Sequence, residues 1–198
     1  MKVCAILLAA GMSTRMGRPK PLLGWEGTTL IEYQIAELRA AGIDEVIVVL
    51  GHKADAIKPY VRQARVVVNE HYRSGRATSV RAGAKAVPVD VGAIVLLNVD
   101  QPRPRELIAG LLAEHKSRGG LITTPVYQNK RGHPVIFAGS LLAELREVQE
   151  ESLGLRAIME KYGGQVQEVL CESPAVLIDI NTIHDYEAAK AQLSKPAK

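Results

Sequence analysis

The chain has 198 residues, 47% of them hydrophobic but only 4% aromatic, which is enough for one sizeable aliphatic core and short for two domains. Its formal net charge is +4, and the basic residues gather in two loops, at 15–20 and 73–81, rather than in one continuous run. No aromatic stacking platform or recognition motif accompanies them, which excludes nucleic acid as the expected partner and favours a small anionic substrate.

Strand and helix signals then alternate along the chain. Residues 3–8 form an apolar run that predicts a buried strand, and it leads into Leu8-Ala9-Ala10-Gly11-Met12-Ser13-Thr14-Arg15-Met16-Gly17-Arg18-Pro19-Lys20. Thr28 or Thr29 caps a helix through Leu30, Ile31, Ile35 and Leu38 that Gly42 ends. Residues 46–50 and 65–68 predict the next strands, with a short helix near 55–60 between them. A helix over 77–86 precedes a fourth strand at 93–97, and Pro104 opens a helix that reaches Lys116. Residues 121–126 and 133–137 read as strands joined around 128–132. Helices near 141–147 and 155–162, strands at 166–170 and 175–178, and a helix over 184–193 complete the pattern. Repeated βα units imply an α/β fold, a doubly wound and mostly parallel Rossmann-like sheet, with the later strands adding a small antiparallel edge or flap. A single domain over 1–193 and a short flexible tail at 194–198 are expected.

Cys4 and Cys171 lie in apolar strand-like runs without metal-ligand spacing and read as buried free thiols. No apolar stretch is long enough to cross a bilayer, and the first residues enter a strand without a charged leader and cleavage site. The expectation is therefore a cytoplasmic protein with no membrane partner.

A strand that runs into a loop of glycine, small residues and hydroxyls offers bare backbone N–H groups to a polyphosphate. Arg15 and Lys20 add positive charge where phosphates would sit. The P-loop pattern is excluded, because Lys20 is flanked by prolines, and the span 9–17 lacks the G-x-G-x-x-G spacing of a dinucleotide fold. The loop reads as a nucleoside triphosphate site. A surface loop that merely contains Gly and Arg is the weaker reading, because carboxyl ends of strands are where open α/β sheets bind ligands.

Two further strand ends carry oxygen ligands. Asp100 follows an apolar strand and suits a Mg²⁺ ion that bridges substrate phosphates; its alternative role is an N-cap for the helix after Pro104. Asp179 and Asn181 form a second oxygen cluster, with an Asx-type turn before the last helix as the alternative. Ser79 reaches the base or ribose, or else faces inward on its helix. His133, between Gly132 and Pro134, is as readily a hydrogen-bonded structural residue as a substrate contact. Trp25 reads as core, and His52 and His71 carry no partner pattern.

The loop resembles the nucleotidyltransferases of the molybdenum cofactor cytidylyl/guanylyltransferase family, whose signature is L-A-A-G or L-A-G-G, then S-x-R-M-G and a lysine. Four later segments are similar to that family's in the same order. They are Arg73 to Gly83 with Gly75 and Ser79, Asn98-Val99-Asp100-Gln101-Pro102, Arg131-Gly132-His133-Pro134-Val135-Ile136-Phe137, and Ile178-Asp179-Ile180-Asn181-Thr182 with Asp185-Tyr186. The resemblance implies CTP as donor, since Ala9-Ala10 follows the cytidylyl-transferring members, and molybdopterin or its molybdenum form as the phosphorylated acceptor. It also implies catalytic roles for Asp100, Lys20 and Arg15, and nucleotide contacts from Leu8, Ala9, Ala10, Gly11, Ser13, Arg15, Gly17, Lys20, Gly75 and Ser79. Mg²⁺ falls to Asp100, Asp179 and Asn181, and His133 and Gln101 lie on the acceptor side. A transient partner enzyme receives the nucleotide cofactor. Asn181 in place of an aspartate, Ile183-His184 in place of Pro-Glu, and Asn98 in place of a glycine depart from the family pattern. Alternatives are a sugar phosphate or other phosphorylated metabolite as acceptor, and a nucleotide-binding protein without turnover.

Overall fold

The structure, a computed structural model, describes residues 1–150 and 154–193, so the tail expected at 194–198 lies outside the described residues. In chain order the strands are β1 (Val3–Ala9), β2 (Gly24–Trp25), β3 (Thr28–Thr29), β4 (Glu45–Leu50), β5 (Arg65–Val68), β6 (Ala93–Asn98), β7 (Ile122–Tyr127), β8 (Lys130–Arg131), β9 (Val135–Ala138) and β10 (Val166–Leu170). The helices are α1 (Leu30–Ala40), α2 (Ala54–Ile57), α3 (Arg76–Ala86), α4 (Arg105–Arg118), α5 (Leu142–Glu147), α6 (Leu155–Lys161) and α7 (Ile183–Leu193).

The main sheet runs β10-β7-β9-β6-β1-β4-β5, with β8 paired to β7. β1, β4, β5 and β6 are parallel, and so are β7 and β10. β9 runs antiparallel between β6 and β7. The antiparallel β7–β8 hairpin completes the mixed sheet, and β2 and β3 pair as a separate two-stranded antiparallel sheet. The hairpin turns on Gln128 and Asn129, both at positive φ (48° and 61°), the left-handed pair that matches strand twist in a two-residue turn.

All seven residues of β1 are buried, because side chains alternate across the sheet and both faces are covered. Val3, Ala5, Leu7 and Ala9 meet a layer that includes Leu38 of α1, Ile108 of α4 and Ala189 of α7. Cys4, Ile6 and Leu8 meet the opposite layer, with Val80 of α3 and Leu145 of α5. Cys4 is a buried free thiol and Cys171 a half-buried one. Burial pushes the Cys4 thiol up to about 12, so it packs as an inert apolar group. Thr29 caps α1 in a capping box: its hydroxyl accepts from the Glu32 N–H while the Glu32 carboxylate accepts from the Thr29 N–H. Trp25 is buried in the core against Tyr33 and Tyr186. No helix among the described residues is long and apolar enough to cross a membrane.

One expected strand is absent. Residues 174–177 form a 3-10 turn instead of the strand read over 175–178. Pro174 lacks the N–H a ladder needs, and the Ser173 hydroxyl accepts from the Ala175 N–H to start the turn. The Val176 and Ile178 carbonyls then accept from the Arg103 guanidinium, and the Val176 carbonyl also accepts from the His133 N–H, instead of joining a strand ladder.

Candidate active site

The carboxyl ends of β1 and β6 and the start of α3 enclose a cleft of about 370 Å³. Of the ten residues expected at the nucleotide, Leu8, Ala9, Ala10, Gly11, Ser13, Lys20, Gly75 and Ser79 line it. Gly17 does not. It lies with Arg18, His52 and Lys53 around a neighbouring hollow of about 220 Å³, because Thr14–Met16 makes a 3-10 turn that carries the loop past the cleft. Arg15 also leaves the cleft's wall and is exposed, donating to Asn181 Oδ1 at 3.3 Å. Within the loop, the Lys20 N–H donates to the Ser13 hydroxyl at 3.1 Å, which closes the loop on itself. Ser79 is buried, and its hydroxyl accepts from Asn69 Nδ2 at 2.9 Å.

Lys20 is the point where distant segments meet. Its ammonium donates to Asp100 Oδ2 at 2.8 Å and to Asn181 Oδ1 at 3.1 Å. Neither of those side chains serves the helix-capping role open to it. The Arg105 N–H at the start of α4 is taken by Glu37 at 2.6 Å, not by Asp100. At the start of α7 the Asp185 carboxylate accepts from the Asn181 and Thr182 N–H groups at 3.0 and 2.7 Å, and the Thr182 hydroxyl accepts from the Asp185 N–H. The Asp179 carboxyl lies above the usual carboxylate range, raised by burial and then by the charge of Asp100.

Among the described residues no group of three or more His, Cys, Asp or Glu side chains gathers to hold a metal ion. What the site offers is two carboxylates and one amide oxygen. The Lys20 ammonium already draws Asp100 and Asn181 around a single positive charge. This hard-oxygen donor set fits Mg²⁺ or Mn²⁺, which take one or two carboxylates and complete their shell with phosphate and water.

Two residues that frame the site carry no signal in the sequence. Arg103 is fully buried, and its guanidinium donates to the carbonyls of Pro102, His133, Val176 and Ile178 at 2.8–3.0 Å. It thereby ties the segment after Asp100 to the segments that carry His133 and Asp179. Burial pushes it down to about 9, against the pull of Asp179 and Asp100. Gln34, equally buried, donates to the Gln101 carbonyl at 2.7 Å and accepts from the Arg103 N–H at 3.1 Å. Such a framework residue is found only when the backbone groups it satisfies are known.

His133 and Gln101 border one small hollow together with Arg103 and Asp179. The Gln101 side chain turns back on its own strand, its Oε1 accepting from the Asn98 N–H at 3.3 Å and from Asn98 Nδ2 at 3.0 Å. A Cβ at Gly132 would collide with the Val176 carbonyl, so that position admits no side chain. Burial, helped by Arg76 and Arg103, pushes the His133 imidazole down to about 4, which keeps it neutral near pH 7.

The profile of the MobA-like NTP transferase domain matches residues 5–167. Nicotine blue oxidoreductase of Paenarthrobacter nicotinovorans is 31% identical over 192 residues, covering 91% of this chain and 93% of that protein. The molybdenum cofactor cytidylyltransferase of Escherichia coli is 25% identical over 96% of each. A probable molybdenum cofactor guanylyltransferase of Bacillus cereus is 28% identical over 98% of each. Among solved structures, Rv0371c of Mycobacterium tuberculosis superposes with a TM-score of 0.83 at 27% identity, over 96% of this chain and 98% of that one. A manganese complex of the same mycobacterial protein superposes with a TM-score of 0.77 at 26% identity, over the same shares. With most of its length matched by the domain profile, the chain belongs to the MobA-like NTP transferase family.

Proposed function

We propose that the chain transfers CMP from CTP to a phosphorylated acceptor, molybdopterin or its molybdenum form, with release of pyrophosphate. The observation that carries this reading is the meeting of Lys20, Asp100 and Asn181 at the mouth of a cleft walled by the glycine loop. An acceptor phosphate oxygen attacks the α-phosphorus in line, and the bond from the α-phosphorus to the pyrophosphate oxygen breaks. No covalent enzyme intermediate is needed, because positioning and charge stabilisation carry such a transfer. Lys20 offsets the charge that builds on the leaving phosphates, and Arg15, donating to Asn181, adds positive charge at the rim. Mg²⁺, held by Asp100 with Asp179 or Asn181, supplies further charge neutralisation when bound. The Ala9-Ala10 pair supports cytosine as the base, and the hollow beside Gln101 and His133 supports an acceptor seated on the Asp179 side. A partner enzyme then receives the nucleotide cofactor.

A second reading has a specific observation behind it, the 31% identity to an oxidoreductase over nine-tenths of the chain. One experiment separates them. Protein with Mg²⁺, CTP or GTP and molybdopterin is assayed for pyrophosphate, and in parallel with nicotine blue and a two-electron reductant for loss of the dye absorbance. Pyrophosphate release with CTP supports the transferase; dye reduction without pyrophosphate replaces it by the oxidoreductase.

A further inference from the structure

Asn69, just past β5, is buried and extends the sheet by one bond, its N–H donating to the Leu50 carbonyl at 2.8 Å. Its side chain is engaged at both ends. Oδ1 accepts from the His71 N–H at 3.0 Å, and Nδ2 donates to the Thr78 and Ser79 hydroxyls, each at 2.9 Å. These partners fix which way the amide lies, because turning it over would set its NH₂ group against the His71 N–H.

The orientation decides where two hydroxyl hydrogens go. Each hydroxyl oxygen already accepts from Nδ2, so its own hydrogen must be donated elsewhere. Thr78 gives its hydrogen to the backbone, where the Gly75 carbonyl lies at 2.8 Å and the His71 carbonyl at 3.0 Å. Ser79 has no such outlet: among the described residues no acceptor takes its hydrogen. Yet Ser79 is only 5% exposed and borders the cleft, which Asn69 behind it does not. A buried hydroxyl whose oxygen is occupied and whose hydrogen is unclaimed is a donor awaiting an acceptor.

We infer that Asn69 is a positioning residue, which holds the Ser79 hydroxyl as a fixed donor into the cleft, toward an acceptor atom of the bound nucleotide. The identity of that ligand rests on the nucleotidyl-transfer reading; the polarity of the hydroxyl does not.

Asn69→Asp keeps the acceptor for the His71 N–H and reverses the rest. The Ser79 hydroxyl then donates to the carboxylate and turns a lone pair toward the cleft. CTP affinity is measured by calorimetry for the wild type, Ser79→Ala, Asn69→Asp and the double variant. The added charge cancels between the two Ser79→Ala comparisons. Ser79→Ala is expected to cost about fivefold or more on the wild type and less than about twofold on Asn69→Asp. Equal costs in both backgrounds reduce Asn69 to a structural brace and overturn the inference. So does a Ser79→Ala protein that binds CTP as well as a CTP-binding wild type. Should Asn69→Asp fail to fold, Asn69→Ala serves the same cycle, since an unheld Ser79 hydroxyl turns back to the Gly75 carbonyl four residues earlier. Neutron diffraction from the deuterated protein without nucleotide locates the Ser79 hydroxyl deuterium directly. A deuterium aimed into the cleft supports the inference, and one aimed at Asn69 overturns it. A wild type that ignores CTP while its deuterium points into the cleft upholds the donor and removes the nucleotide reading.

Discussion

Lys20 Nζ stands 2.8 Å from Asp100 Oδ2, a contact that joins the end of the glycine loop to the end of β6 across eighty residues of chain. Both side chains are largely shielded from solvent, with 12% and 22% of their surfaces exposed. Both members line the cleft at the carboxyl ends of β1 and β6. The contact forms without a substrate to organise it.

Asp100→Ala should lower turnover about 100-fold or more, the usual cost of removing a group that organises charge in the transition state. Nucleotide binding should fall less. Steady-state pyrophosphate release checks this, and turnover within a few-fold of wild type would remove Asp100 from the mechanism.

Lys20→Ala should weaken CTP binding about tenfold or more and CMP binding far less, because the proposed transfer sets the ammonium against the distal phosphates. Calorimetric titration of both nucleotides is the measurement. Equal losses would place the side chain's action elsewhere.

Ala10→Gly should relax the donor preference from CTP toward GTP. Ala10 borders the cleft, and behind it the chain is tight: a Cβ on Gly51 would lie 2.9 Å from that of Ala10, and the Ala10 carbonyl accepts from the His52 N–H. The end of β1 therefore cannot retreat from a bulkier purine, and removing the methyl group is the way to make room. A competition assay with equal CTP and GTP decides it; predominant use of GTP by the unmodified protein would be the wrong outcome.

Arg103→Met should destabilise the fold by about 3 kcal/mol or more, since several buried carbonyls lose their donor at once and each costs about 1–3 kcal/mol. Arg103→Lys keeps the charge but not the fork of donors, and should recover only part of the loss. Urea unfolding of the three proteins tests this, and a methionine variant as stable as wild type would refute the framework role.

His133 predicts a pH dependence of stability. Its folded pKa of about 4 lies below the ordinary value of 6.5, so below pH 6.5 the unfolded chain takes up a proton that the folded chain refuses. Stability is full above about pH 6.5 and declines as the pH falls toward 4, by at most about 3 kcal/mol from this group. His115, lowered by burial beside Thr123, adds in the same direction. His133→Asn should flatten the decline; urea midpoints that fall identically in both proteins would show that the acid sensitivity arises elsewhere.

The parts of the molecule governed by local rules were readable in the sequence. The β1 run, a cap at Thr28 or Thr29, the connection around 128–132 and the strand-end position of Asp100 all follow from periodicity and turn chemistry. Residues 174–177 were not, because an apolar stretch announces burial but not which donors its carbonyls will find. Arg103 was hidden for the complementary reason. An arginine between two prolines reads as solvated surface, and only the folded backbone shows four carbonyls converging on it. Gly17 and Arg15 were read with the cleft from their place in the loop, but a 3-10 turn at Thr14–Met16 redirects the chain there.

β9 enters the sheet backwards between β6 and β7. The register pairs Val135 with Leu96, so the start of β9, with His133 just before it, reaches the same rim as the end of β6. The rim is thus assembled from chain travelling in both directions. Its β1 side hangs on a loop closed by the Ser13–Lys20 contact, while its β9 side hangs on a short hairpin connection that belongs to no βα unit. Substitutions at 128–131 can remodel what borders Asp179 without disturbing the backbone around Lys20. The two sides of the rim are therefore free to drift separately under substitution.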